Sequence, residues 1–376
     1  MLNAARGAGK PKYRALFELL KADIVSGRYN PGEKLPSEAA LVTRSGASRI
    51  TVGRAIRELQ NLGLVDRVAG SGTYVRTLAP DARPHLFGLL IPDLGETEIF
   101  EPICRGIANA PESTEHALLW GHCDPKAEKG LQAWDLCRQY IAKKVSGVFF
   151  APLEYEPDAE KTNRRILQAF RHAKIPLVLL DRRGTEAPDR GRPDLVGINN
   201  RQAAYIGTKH LIDLGCRHIG FIGYHGAATT IGERLSGYTD ALRTHGLKPV
   251  VDSSVEAATS RSDAFHWSGR HRIHSLEALV CINDRIAGQL MHLFLQRKIR
   301  VPEDIRLIGI DDVSYASLLP VPLTTVHQPT QAIGEAALAI MVDRIRNPKL
   351  PPREVLLDGE LVVRVSCGAN LDLRNN

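Results

Sequence analysis

Apolar positions along the first fifth of the chain recur with helical spacing and break at glycines. Leu16, Leu19, Leu20 and Ile24 share one face of a segment over residues 13–26, which Gly27 ends. A turn-rich link, YNPGEKLPS, follows. Ser37 is suited to cap a short helix through Arg44, with the Glu38 carboxylate at its positive end, and Ser45-Gly46 breaks it. Ser48 caps a third helix that runs to Leu62 and stops at Gly63. Residues 64–67 and 73–76 then read as two short strands around AGSG, a hairpin with glycines where positive φ is needed. The expected order is helix, helix–turn–helix and hairpin over residues 1–76, with a linker at 77–85 marked by two prolines.

From Leu86 the pattern changes. Short apolar runs (LFGLLIPD, GVFFAP, PLVLLDR, LVGIN, HIGFIGY, ALVCIND, RLIGIDD) alternate with stretches of helical spacing such as 202–214 and 285–297. That rhythm predicts an α/β fold with parallel sheets covered by helices on both faces. The length of the region suits two similar lobes, with a ligand cleft near the C-terminal ends of the strands. Residues 86–376 are therefore expected to form a two-lobed effector-binding and dimerisation domain.

Charge sharpens the division. Residues 1–80 hold 13 Lys and Arg against 6 Asp and Glu, so the whole net charge of +7 lies there, and 36 of each sign cancel in the rest. A basic module on a neutral body points to a polyanion partner. On a helical wheel of the third helix, Val52, Ala55, Ile56, Leu59 and Leu62 form one apolar stripe. Arg57, Ile50 and Arg54 fall on the far side, with Gly53 and Gln60 at the edge by Arg49. An apolar stripe against a partner helix and arginines outward suits insertion in a major groove. There Arg49, Ile50 and Arg54 are placed for base edges, since arginine bonds guanine bidentately and an apolar side chain packs on a thymine methyl. The glycines of AGSG, with Arg67 and Arg76 beside them, allow close approach to phosphates.

The run PGEKLPSEAAL…SGASRITVGRAIRELQNLGLVDRVAGSGTYV resembles the winged helix-turn-helix of the GntR family, over roughly residues 10–76. The resemblance implies that Ser37 and Glu38 begin the second helix at the DNA backbone. It places Ser48, Arg49 and Thr51 at the recognition helix, and Gly70, Ser71 and Gly72 at the wing tip. The family pattern S-R-x-T-V-R ends here in Gly53, which leaves a frequently DNA-contacting position without a side chain.

In the larger region, polar residues cluster after the apolar runs: Asp181-Arg182-Arg183, Asn199-Asn200, Asn283-Asp284 and Asp311-Asp312. Such planar groups match vicinal hydroxyls. The series VGINNRQAAYIGTKHLIDLGCRHIGFIG, ERLSGYTDAL, CINDRIAGQL, VPEDIRLIGIDDVSYA and PLTTVHQP resembles the LacI/GalR-type regulatory body. With the GntR-type head, it is similar to the arabinose-repressor type of chimeric regulator. The resemblance implies that Arg234, Asn283 and Asp311 bind effector hydroxyls, with Asn200, Gln328 and Asp181 as further candidates. Phe100, Phe265 and Trp267 are candidates for a ring that stacks on a sugar face. Asp284 and Asp312 also read as caps of following helices, Asn199 as a turn residue, and Trp120 and Trp134 as core. Arg182, Arg183 and Arg201 leave a phosphorylated sugar open as the effector.

Six cysteines are scattered without C-x-x-C or zinc spacing, and the N-terminus lacks a signal-peptide apolar core. The expected setting is a reducing cytoplasm, without membrane association. His271-x-x-His274 has no third ligand nearby, so no metal and no cofactor is expected. Phosphate-loop, nucleophile-elbow and zinc-protease motifs are absent. The expectation is a homodimeric, non-enzymatic transcription regulator, a repressor whose operator affinity responds to a sugar or sugar derivative. The alternative is a sugar-processing enzyme with a basic DNA-binding appendage, which would need a catalytic pair in the cleft.

Overall fold

The computed structural model describes residues 12–369 apart from 26–27, 31, 62–63, 69–70, 76–84, 93, 95–97, 112, 114–115, 122–126, 155–157, 185–191, 225–228 and 256–274. The chain divides into two compact units, Met1–Arg83 and Pro84–Asn376.

The first unit holds three helices, α1 (Lys12–Val25), α2 (Glu38–Ser45) and α3 (Arg49–Asn61), and a hairpin of β1 (Val65–Val68) and β2 (Gly72–Val75). Ser37 accepts the Ala40 amide at 3.2 Å and Gly46 closes α2 with a left-handed φ of 64°. Ser48 Oγ accepts the Thr51 amide at 3.2 Å, so both expected caps form. Leu16, Leu20, Ile24, Leu41, Val52, Ala55, Ile56, Leu59, Val65 and Val75 are buried in one core. Leu19 departs from the expected apolar face: it is 54% exposed. Leu16, Leu20 and Ile24, the i, i+4, i+8 row of α1, are the ones buried in the core. Leu62 lies outside the described residues.

The second unit contains two six-stranded sheets. The first has the order β13-β7-β6-β5-β3-β4, from β3 (Leu86–Leu90), β4 (Ala117–Trp120), β5 (Gly147–Phe150), β6 (Leu177–Leu180), β7 (Asp194–Ile198) and β13 (Glu354–Leu357). All its neighbouring strands are parallel. Helices α4 (Phe100–Asn109), α5 (Lys129–Ala142), α6 (Ala159–His172) and α10 (Thr330–Arg346) pack on it. The second has the order β14-β12-β11-β10-β8-β9, from β8 (Ile219–Tyr224), β9 (Val250–Val255), β10 (Ala278–Cys281), β11 (Arg306–Asp311), β12 (Thr324–His327) and β14 (Glu360–Val362). Only β14 runs antiparallel to its neighbour. Helices α7 (Asn200–Asp213), α8 (Thr229–Thr244) and α9 (Asp284–Gln296) cover this sheet. The central strands β5, β6 and β10 are buried at every position, as runs covered on both faces must be.

The chain passes from the first lobe to the second at 198–200, returns at 327–330 and passes again at 357–360. A small core of Ile198, Ala203, Ala204, Ile310 and Val326 sits at these passages. Each lobe thus presents the C-terminal ends of its strands towards the passages, where the polar residues of the sequence follow the strands. Trp120, expected in the core, is instead 54% exposed at the end of β4, the edge strand of its sheet.

Candidate functional sites: a basic helix face and a ligand cleft

In the first unit the outer face of α3 is open. Ile50 is 82% exposed, and Arg49, Arg54 and Arg57 are exposed beside it. A Cβ built on Gly53 meets nothing within 4 Å, so neither the packing of the head nor its backbone requires glycine there. Arg54 stacks its guanidinium 4.0 Å from the centre of the Tyr13 ring on α1, and Arg57 Nε donates to the Gly53 carbonyl at 3.4 Å. Arg49 has no ion-pair partner among the described residues and is the guanidinium nearest the N-terminus of α3. Thr51 Oγ1 is held by Ser48 Oγ at 2.8 Å, so its hydroxyl serves the cap.

Glu38, at the start of α2, forms an ion pair with Arg67 on β1. This contact ties the hairpin to the helix–turn–helix and occupies the basic residue expected beside the wing tip. At the tip, Ser71 Oγ and Tyr74 Oη are hydrogen-bonded at 2.6 Å. Gly72 has φ 138°, a backbone conformation that favours glycine, while the Lys34 Cε that stands 2.5 Å from a Cβ built there is the end of a side chain that can move aside. Gly70 and Arg76 lie outside the described residues.

In the second unit Arg234 is the centre of a buried polar network. It lies on α8, 6% exposed. Its Nε donates to Asn200 Oδ1 at 2.6 Å, one terminal nitrogen donates to the Ile282 carbonyl, and the other meets Asp311 Oδ1 at 3.4 Å. Gln328 Nε2 donates to the same Asp311 oxygen at 2.6 Å. Four of the expected residues, from α7, α8, β11 and the end of β12, therefore converge. Asp181 follows β6 in the other lobe and is 7% exposed; its charge raises the Asp311 pKa. Asp181, Asp311 and Asp312 all have positive φ, 69°, 126° and 54°. Non-glycine residues in that region store about 1–3 kcal/mol of strain each, which gathers here at the strand ends.

Electrostatics sets the site apart. Burial pushes the Asp311 carboxyl up to about 6, against the downward pull of Arg234 and Gln328. Asp284 is pushed up to about 7, by burial first and then by the Asp311 charge. Glu233, beside Arg234, is raised by burial and by Glu354. Asp181 Oδ1 and Gln328 Oε1 are buried without a hydrogen-bond partner among the described residues. A cavity of about 450 Å³ opens next to Asp311 and Gln328 and is lined also by Glu98, Asp312, Ser314 and His327. A cavity of about 520 Å³ lies at the opposite, N-terminal ends of β5, β6 and β7, but no lining side chain there has an orphaned buried polar atom.

Several expectations change. Asn283 is also the N-cap of α9: its Oδ1 accepts the Ile286 amide at 2.9 Å, and a donor role through its amide nitrogen is left untouched. Asp284 is not a cap: it is fully buried, and its oxygens accept from Thr325 Oγ1 at 2.5 Å and the Val313 amide at 3.0 Å. Asp312 is not a cap either; it binds Arg364 at 2.6 Å and His327 at 3.0 Å. Asn199 caps α7 through the Gln202 amide at 3.1 Å. Phe100 is fully buried with Arg182 5.4 Å over its ring, so it offers no open face to a sugar. Phe265, Trp267, His271 and His274 lie outside the described residues. Glu154, Glu233, His327 and Arg364 were missed, because no local spacing announces an ion pair that forms across the fold.

The head and the two-lobed body define a class: a DNA-binding transcription regulator with a ligand-sensing body. The head matches the family described as bacterial regulatory proteins, gntR family, over residues 12–75, and the body matches the periplasmic binding protein-like domain over residues 208–367. The chain is 30% identical over 277 residues to the HTH-type transcriptional repressor PurR of Aliivibrio fischeri (strain ATCC 700601 / ES114), spanning 72% of this chain and 78% of that one. It belongs to the family of transcriptional repressors with a LacI/GalR-type body, here joined to a GntR-type head. Over 368 residues, 95% of this chain and 97% of the relative, it is 26% identical to the arabinose metabolism transcriptional repressor of Geobacillus stearothermophilus, which has the same two-part architecture. These relatives are regulators and not enzymes. Its fold is shared by the CelR–cellobiose complex, with a TM-score of 0.62 at 21% identity over 88% of this chain and 100% of that one. A LacI family regulator from Enterococcus faecium with bound ribose gives 0.59 at 20% identity over 75% and 98%. No helix among the described residues is long and apolar enough to cross a membrane.

Proposed function

We propose that the protein is a cytoplasmic homodimeric repressor released from its operator by a sugar or sugar derivative bound between the lobes of the body. The observation that carries this reading is the buried Arg234, which gathers Asn200 and Asp311 at strand ends beside a cavity. A relative named for arabinose metabolism, and fold neighbours holding ribose and cellobiose, support the ligand class. A dimer places two copies of α3 in successive major grooves of a near-palindromic operator. On each copy, Arg49 and Ile50 reach base edges, Arg57 and the wing tip reach phosphates, and Arg54 approaches from its stack on Tyr13.

The three passages between lobes make a hinge, and ligand bridging the strand ends closes it. Closure then alters the spacing of the two heads. A ligand releases DNA only if it binds the state that cannot hold DNA more tightly; a preference of about 100-fold supplies about 2.7 kcal/mol. The test is an operator titration with and without pentoses and hexoses. A ligand that binds the body and weakens operator binding supports the switch. Unchanged operator affinity with every sugar that binds the body overturns it.

A further inference from the structure

The chemistry of the cleft narrows the effector further, on the reading that the cleft binds one. Among the described residues, the guanidiniums expected to receive a phosphate are already engaged. Arg182, 4% exposed, meets Asp181 Oδ2 and Glu154 Oε2, each at 3.0 Å, and donates to the Pro152 carbonyl at 2.8 Å. Arg183 is paired with Glu354, and Arg201 with Asp240. Arg234 spreads its donors over Asn200, Ile282 and Asp311, and Arg364 is held by Asp312.

The carboxylates are in the opposite condition. Two of them, Asp181 and Glu154, both meet the Arg182 guanidinium. Glu233 stands close enough to feel Glu354, Arg183 and Asp181, and Asp311 feels Asp181 from the other lobe. Asp181 Oδ1 and Gln328 Oε1, buried at strand ends without a hydrogen-bond partner among the described residues, are both acceptors. The assignment at Gln328 is secure, because its amide nitrogen must face the Asp311 oxygen it donates to at 2.6 Å. A buried acceptor left unmet costs about 1–3 kcal/mol, more when charged, so the ligand must bring donors. Hydroxyls supply donors but no charge. A cation supplies both, and it favours the charged form of the Asp311 and Glu233 carboxyls, which burial holds above their ordinary range, with Glu354 adding to it at Glu233 and Asp181 adding a smaller push at both.

We infer that the effector is a polyhydroxylated ligand bearing a protonated amine, an amino sugar, whose ammonium sits between Asp181 and Gln328, and that sugar phosphates are excluded. The phosphate would meet Asp181, Glu233 and Asp311, with Arg182, Arg183, Arg234 and Arg364 already paired and only Arg105, exposed beside Glu101 at the rim, less tightly held among the described arginines named at the cleft.

The test is calorimetry on the full chain with D-glucosamine, D-galactosamine, D-mannosamine and 4-amino-4-deoxy-L-arabinose, each against its parent sugar and the parent's phosphate. At least one amine is expected to bind tenfold or more tightly than its parent, with no binding of the phosphates. In Asp181→Asn, checked for folding by its thermal melt, the ratio of amine to parent affinity is expected to fall at least fivefold. A parent sugar that binds as tightly as its amine, a phosphate that binds more tightly than either, or an unchanged ratio in Asp181→Asn overturns the inference while leaving a sugar effector standing. Failure of every compound to bind overturns the effector reading itself and this inference with it.

Discussion

Ile50 and Asp284 illustrate two ways a residue can defy its usual environment. Ile50 is apolar and 82% exposed on a helix whose other apolar side chains are buried. Its exposure costs little in the free head and becomes useful only against another surface. A thymine methyl in the groove is such a surface, and Ile50→Ala is expected to weaken binding to the preferred operator by about 1–3 kcal/mol. The same change should scarcely affect non-specific DNA, as read by filter binding to both at one salt concentration. Equal loss on the two DNAs would remove Ile50 from base reading. Asp284 is the converse, an acid that is fully buried. Its folded pKa of about 7 lies above the ordinary value, through burial and the charges of Asp311 and Asp312, against hydrogen bonds from Thr325 and Val313. Its protonated form therefore stabilises the fold fully below about pH 4, and that contribution is lost as pH rises through the folded value. The wild type is expected to gain stability relative to Asp284→Asn as pH falls from 8 to 5.5, measured by paired thermal melts.

At the scale of elements, helices approach one another through glycine. A Cβ on Gly237 of α8 would stand 1.9 Å from the Arg201 carbonyl oxygen of α7. That contact sets the distance between the helices that carry Arg234 and Asn200, and hence their 2.6 Å hydrogen bond. Gly237→Ala is expected to destabilise the body by about 1–3 kcal/mol and to weaken effector binding. Gly232→Ala, on the same helix with nothing within 4 Å of its Cβ, is the control and should be neutral or stabilising in a urea titration. The head's elements were legible from their caps: Ser37, Gly46 and Ser48 act where the pattern put them, and both hairpin strands lie within one residue of expectation. Leu19 and Trp120 were not, since a face or strand is buried only where something covers it, and the covering element lies elsewhere in the chain.

Across the whole molecule, the three passages between lobes permit closure, and contacts between lobes bias it. Ser314 Oγ on the second lobe donates to Glu98 Oε2 on the first at 3.1 Å. An exposed hydrogen bond contributes about 0.5–1.5 kcal/mol. Ser314→Ala is therefore expected to weaken effector binding about two- to tenfold by calorimetry, while the ligand-free protein keeps its operator affinity. A larger loss would place Ser314 in contact with the ligand.

The sequence by itself determined the order of elements, the largely parallel sheets, the basic head and the residue types at the strand ends. These follow from spacing, capping and charge, whose physical range is a few residues along the chain. The tertiary structure alone decided which of those polar groups are already engaged. Arg54 lies on Tyr13, Arg182 lies between Asp181 and Glu154 over Phe100, and Arg67 is tied to Glu38. Asp311 meets Arg234, 77 residues away in the chain. An ion pair forms between groups that the fold brings together, so a list of arginines and aspartates cannot show which charges remain for a ligand; burial and distance do.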